Sequence, residues 1–261
     1  MTTRSLLLAG ALAFVWGSSA QAADLPARMY TKAPPVAAVY NWAGFYAGLH
    51  LGVANGNVTA TDITPPNGGF FTDLVPAGTE GFDFRNASLA GGVHVGAQYQ
   101  WQQVVLGAEA GWTGTEIKQT ITSPYFPASD TETGKIENLV TVVGRIGYAF
   151  DRVLVYAKGG YAGGEVGFKA RDNAALVTYQ QKLWQNGYAI GGGFDYAITN
   201  SLILGIDYTH IGLGSAQTTG NNVFDSGALG VNPETYRTKA RVDMVMAKLS
   251  YKFGGSLSSI H

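Results

Sequence analysis

Six charged residues of this chain could do chemistry together. Glu109, Arg145, Lys158, Asp195, Asp207 and Lys248 sit on alternating stretches, on the parity that carries glycine and small residues. Each falls about four to six residues from a short turn, so they occupy roughly one layer. Three acids meet three bases. If that parity faces the inside of a narrow barrel, the charges must pair, because a buried charge left alone is strongly destabilising. The expected pairing is Glu109 with Arg145 and Lys158, and Asp195 and Asp207 with Lys248. The alternative is a set of solvated residues lining a water-filled pore. In the first case the chemistry is ionic closure; in the second it is conduction.

Other candidates carry less. His50 and His94 fall on neighbouring stretches with the same inward parity, but no third ligand at a suitable spacing supports a metal, and hydrogen bonding is the expectation. Gly159-Gly160 and Gly191-Gly192-Gly193 are not followed by a helix, so they lack a phosphate-loop context. His210 has outward parity. A lipid-cleaving enzyme would want a serine and an acid beside it, and Ser201 and Ser215 lie at the wrong depths on its own stretch. No cofactor and no catalytic residue is therefore expected. With no cysteine, thiolate metal sites, thiol nucleophiles and disulfides are excluded.

The elements that must position these charges are strands. From Asn138 to Tyr156, two alternating runs meet at Asp151-Arg152. Val140, Val142, Ile146, Tyr148 and Phe150 share one parity; Thr141, Val143, Arg145, Gly147 and Ala149 share the other. The same two-faced pattern recurs in 41–53, 87–101, 104–119, 183–198, 202–216 and 236–253. Turns near Gln102, Asp151 and Asn200 are short, while the connections 61–86, 120–134, 170–182 and 217–235 are long and polar. Aromatics on the apolar parity gather at two levels. Trp101, Tyr148, Phe150, Tyr196, Tyr251 and Phe253 lie near the short turns; Trp112, Trp184, Tyr188 and Tyr208 lie nearer the long loops. Two aromatic girdles, short turns on one side and long loops on the other form the outer-membrane pattern. The predicted fold is all-β, an eight-stranded antiparallel transmembrane β-barrel with both termini on the periplasmic side.

Composition agrees. Charged residues make up 13% of 261, net charge is -1, and there are 36 glycines and 14 tyrosines. No basic patch supports nucleic-acid binding. Arg4, the apolar run from Leu6 to Trp16, and Ala20-Gln21-Ala22 read as a secretory signal cleaved between Ala22 and Ala23. The run is too short to span a bilayer, which takes roughly 20 residues. The expected organisation is a signal peptide at 1–22, a flexible Ala/Pro-rich periplasmic leader at 23–40, the barrel at 41–255 and a tail at 256–261.

Asn41-Trp42-Ala43-Gly44-Phe45-Tyr46-Ala47-Gly48 resembles the opening of small alphaproteobacterial outer-membrane proteins, the immunogenic porin-like surface antigens akin to opacity proteins. Leu249-Ser250-Tyr251-Lys252-Phe253-Gly254-Gly255 resembles their ending. The resemblance implies an outer-membrane barrel tied to envelope integrity and surface interaction, in some members to haemin binding. Loop aromatics Phe70, Phe71, Tyr125 and Phe126 are the candidates for haemin. Leu249, Tyr251 and Phe253 resemble the signal read by the barrel-assembly machinery. Expected partners are that machinery, outer-membrane lipid and lipopolysaccharide. The leading functional expectation is a non-enzymatic barrel that supports the envelope and displays loops. A narrow channel for ions or small solutes, a haemin-binding surface protein and an outer-leaflet lipid-modifying enzyme are the alternatives.

Overall fold

Alternation at period two along eight stretches produces eight antiparallel strands, and the last closes on the first. The computed structural model describes residues 39–64, 80–124 and 126–253. The expected cleavage site at Ala22 and Ala23, most of the leader, and the tail lie outside these residues. The strands are β1 (Gly44–Asp62), β2 (Glu80–Trp101), β3 (Val104–Thr122), β4 (Asp130–Phe150), β5 (Val153–Asp172), β6 (Val177–Ala197), β7 (Leu202–Phe224) and β8 (Leu229–Phe253). Antiparallel pairing with β8, from Phe45↔Phe253 to Asp62↔Tyr236, leaves β1 no free edge. Two of the short turns place a non-glycine residue at positive φ, Gln102 at 54° and Asp151 at 51°, the backbone that tight hairpins require.

The outward parity is the apolar one. Leu51, Leu89, Trp101, Ile146, Phe150 and Tyr188 are all exposed, as the girdle pattern required. The strands are 19 to 25 residues long, much more than the roughly 10 that a tilted strand needs to cross a bilayer. Most of the described residues in the stretches expected as long loops are therefore strand. The reason is an inversion of polarity above the loop-side girdle. There the inward residues are Phe82, Phe84, Ile117, Ile136, Phe168, Tyr179 and Tyr236, and the outward ones include Lys118, Lys135, Lys182, Arg85 and Lys239. In β4 the inward parity itself changes, from even numbers below Ile136 to odd numbers from Leu139 upward, at a register shift between those two residues.

The ladder is continuous only at membrane level. β2 and β3 pair from Trp101↔Val104 to Ala90↔Thr115 and no farther. β6 and β7 pair from Ala197↔Ile203 to Gly187↔Leu213, then again only at Thr178↔Val223 and Val177↔Phe224. Between these points the loop-side half consists of two four-stranded sheets, β7-β8-β1-β2 and β3-β4-β5-β6, packed face to face over an aromatic core. Phe82 meets Phe168 at 5.7 Å, Phe168 meets Tyr236 at 4.9 Å, and Tyr236 meets Tyr179 at 4.8 Å between ring centroids.

Candidate functional site

Each of the six inward charges stands opposite a glycine on a neighbouring strand. Glu109 faces Gly96, Arg145 faces Gly107, Lys158 faces Gly191, Asp195 and Lys248 both face Gly205, and Asp207 faces Gly193. An eight-stranded interior has room only for side chains. Long charged groups fit across it because the opposing position has none. At Gly205 an added Cβ would run into the Asp195 carboxylate.

The charges form one alternating chain across the lumen. The Arg145 guanidinium donates to Asp195 at 2.6 Å and to Glu109 at 3.0 Å. Lys248 Nζ reaches the same Glu109 oxygen at 2.7 Å and Asp207 at 3.4 Å, and Lys158 Nζ donates to Asp207 at 2.8 Å. All six side chains are buried. Of the expected pairs, Glu109–Arg145 and Asp207–Lys248 are present. Glu109 takes Lys248 rather than Lys158, and Asp195 takes Arg145 rather than Lys248. The register explains the exchange. Lys158 lies directly opposite Arg145, a like charge, and turns away toward Asp207 on β7.

Two tyrosines complete the layer. Arg145 Nη1 donates to Tyr46 Oη at 2.6 Å, and Tyr46 Oη donates to Glu109 at 2.9 Å. The Arg145 guanidinium also lies 3.8 Å over the Tyr156 ring, whose hydroxyl donates to Asp207 at 3.3 Å. Neither tyrosine was among the sequence candidates. Their signal was an aromatic on the glycine parity, which a lumen tolerates only when it fills space.

Below the layer, toward the short turns, the mouth is capped. Trp42 is wholly buried; its Nε1 donates to the Asp151 carbonyl at 2.9 Å and its backbone N to Gln100 Oε1 at 2.7 Å. Tyr40, the last residue of the expected leader, is buried beside it, with its backbone N donating to Asp151 Oδ1 at 2.8 Å. Lys252 donates to the Asn41 carbonyl and lies 4.2 Å from the Tyr40 ring centre. Above the layer, His50 and His94 contact each other through Nδ1 at 3.3 Å; His50 Nε2 reaches Thr113 and His94 Nε2 reaches Ser250. That is hydrogen bonding as expected, and no group of metal-ligating side chains occurs among the described residues. The cavity left between the histidines and the charges is about 30 Å³, room for roughly one or two waters.

The remaining sequence candidates are dispersed. Leu249, Tyr251 and Phe253 point outward on β8 at the turn end. Phe126 packs against the sandwich core instead of standing free on a loop; Phe70, Phe71 and Tyr125 lie outside the described residues. On the outside, His210 Nδ1 sits 2.8 Å from Asp243 Oδ1, which also accepts from Tyr208 Oη at 2.5 Å. Ser215 lies past a register shift, opposite Lys239, and does not complete a triad.

The comparisons with known proteins fit this geometry. The family model described as the outer membrane protein beta-barrel domain matches residues 8–253. The 31 kDa outer-membrane immunogenic protein of Brucella melitensis is 31% identical over 259 residues, covering 96% of this chain and all of the relative. The 22 kDa outer membrane protein of Rhizobium leguminosarum bv. viciae is 27% identical, covering 67% of this chain and 66% of the relative. Among solved structures, the outer membrane protease OmpT of Escherichia coli matches with a TM-score of 0.54 at 11% identity, over 80% of this chain and 97% of that one, a likeness of fold alone. The chain belongs to the outer membrane protein β-barrel family, in the company of the outer-membrane immunogenic proteins.

Proposed function

We propose that this protein is a closed, non-catalytic outer-membrane barrel that braces the envelope and holds a folded two-sheet head above the bilayer. The single observation that carries the reading is the unbroken ionic chain Asp195–Arg145–Glu109–Lys248–Asp207–Lys158 across the lumen. The Trp42 cap and the aromatic head core lie on either side of it. A conducting pore needs a continuous water path, and this lumen is filled three times over. In this reading the short turns and both chain termini face the periplasm, the head faces outward, and Leu249, Tyr251 and Phe253 serve the assembly machinery. The His210–Asp243 pair speaks for an acid–base function at the interface, but among the described residues no serine hydrogen-bonds to either member, and the neighbouring Tyr208 hydroxyl is taken up by Asp243. Reconstitution in a planar bilayer tests the proposal. Wild type should show no steady conductance; a stable open channel would replace it with the solute-channel reading.

A further inference from the structure

We propose that the outer face of the β3-β4-β5-β6 sheet, just above the loop-side girdle, binds the phosphorylated sugar headgroup of an outer-leaflet glycolipid. The face carries a row of lysines that the strand register places side by side. Lys118 is directly opposite Lys135, Lys135 is opposite Gly167, and Gly167 is opposite Lys182. Like charges directly opposite each other destabilise a sheet. A row of them kept on an exposed face calls for an anion. Glu137 supplies part of one, contacting Lys135 and Lys182, and Glu165 contacts Lys182 at 2.9 Å. No ion pair engages Lys118 or Lys169 among the described residues.

The row borders a cleft of about 610 Å³ lined by Lys118, Lys135, Lys169, Arg171, Lys182 and Glu137; Arg171 is held by Asp225, which leaves Lys118 and Lys169 as its cations without an ion pair among the described residues. Gly167 forms its floor, where the missing side chain leaves a dent between lysines. Above the row, Thr133, Lys169 and Gln180 face one another across adjacent strands. They offer hydroxyl, ammonium and amide groups on three neighbouring strands. Charge alone would suit any anion; the mixture of cations with neutral hydrogen-bonding groups suits a phosphorylated saccharide.

Position identifies the source. Lys182 is two residues above Trp184, so the row stands roughly 7 Å along the strand from the girdle, at headgroup depth. Exposed ion pairs are individually weak. A ligand confined to the membrane by its acyl chains arrives at high local concentration, which a free phosphate does not. The inference rests on the head facing outward, which protease shaving of intact cells tests separately.

The test uses the full-length protein in phosphatidylcholine nanodiscs, with and without bisphosphorylated lipid A, and measures retention of the lipid. Wild type should hold lipid A at least ten-fold more tightly than the triple variant Lys118→Gln, Lys135→Gln, Lys182→Gln. Gly167→Gln, which keeps every charge and fills the floor, should lose a similar factor. Gly167 has no positive φ and ordinary contacts around an added Cβ, so that variant should fold. Dephosphorylated lipid A and phosphatidylglycerol should be held no better by wild type than by the variants, and inorganic phosphate should compete only weakly. The proposal is overturned if the triple variant and Gly167→Gln retain lipid A like wild type. It is equally overturned if phosphatidylglycerol matches lipid A, or if inorganic phosphate binds as well as the lipid.

Discussion

The membrane-level barrel and the head above it are built from the same eight strands by opposite rules. In the barrel the outside is apolar and the inside holds charges, glycines and tyrosines. In the head the outside is charged and the inside is mainly aromatic and aliphatic, with a few buried carboxylates such as Glu132 and Glu234. Hydrogen bonding differs in the same way. Hydrocarbon offers no water to an unpaired backbone group, so the barrel must close completely. Water forgives open edges, and both seams, β2/β3 and β6/β7, begin above the last pairs Ala90↔Thr115 and Gly187↔Leu213. Side chains stitch the β2/β3 seam: Asn86 Nδ2 donates to the Lys118 carbonyl at 2.6 Å, and Arg85 N donates to Gln119 Oε1 at 2.5 Å. Solvent, not sequence length, decides where the barrel ends and the sandwich begins.

The sharpest way to break the barrel while sparing the head is Arg145→Ala. Arg145 holds two carboxylates, and its removal leaves Asp195 with no ion-pair partner among the described residues. Breaking a buried ionic network by deleting one partner costs about 4 kcal/mol. Urea unfolding in lipid vesicles should show this loss, and the boiled-versus-unboiled gel shift should appear at lower temperature. A variant as stable as wild type would mean the lumen is wet.

The reverse experiment is Phe168→Ala. Its ring sits among Phe82, Phe84, Tyr179 and Tyr236. Truncating a buried phenylalanine costs about 3 kcal/mol. Because the head lies outside the closed ladder, the loss should appear as protease sensitivity above the girdle, with the gel shift of the barrel unchanged. If both change together, the two halves unfold as one unit and the contrast between them is only geometric.

How much of this was legible in the sequence follows from the same contrast. Parity read the barrel correctly, since Phe150, Tyr148 and Ile146 go outward and Arg145 inward as the alternation demanded. The network's membership was legible because a charge on a glycine parity is rare. Its partners were not, because pairing depends on stagger between strands: Arg145 lies opposite Lys158, and only the register shows it. The head was read as loops because Glu132, Thr133 and Lys135 look polar, and the parity change between Ile136 and Leu139 breaks the alternation there. A sandwich strand with the opposite polarity to its own lower half has no simple period.

Glu132 gives a smaller, pH-dependent test confined to the head. It is 1% exposed, and neither carboxylate oxygen has a hydrogen-bond partner among the described residues. Burial pushes its carboxyl up to about 8, and the charges of Asp130 and Glu234 add to the shift. A folded value above the unfolded one favours the protonated folded state. That contribution is fully present below the ordinary value of 4.5 and is lost as pH rises through about 8. Glu132→Gln should remove the dependence, leaving the head's protease resistance unchanged near the low end. Near the high end it should stabilise the head by roughly 2 kcal/mol. If wild type and variant show parallel pH profiles, Glu132 is not the group responsible.

The smallest expected effect comes from an ion pair that matches the lumen's in chemistry and distance. Arg171 Nη1 meets Asp225 Oδ1 at 2.5 Å, and Arg171 Nη2 meets Asp225 Oδ2 at 2.8 Å. Arg145 meets Asp195 at 2.6 Å. The side chains of the lumen pair are 5% and 8% exposed; those of the head pair are 24% and 47%. In the head, water already solvates both partners and salt screens them, so the contact adds little over what each gains alone. The Arg171 pair links β5 to the β7–β8 connection at the far end of the β6/β7 seam, where the two strands pair again, so its geometry suggests a clasp. Arg171→Gln should nevertheless leave thermal stability unchanged within error at moderate salt, with any loss seen only at low ionic strength. A loss as large as that of Arg145→Ala would show that the seam is dry and that the head closes as tightly as the barrel.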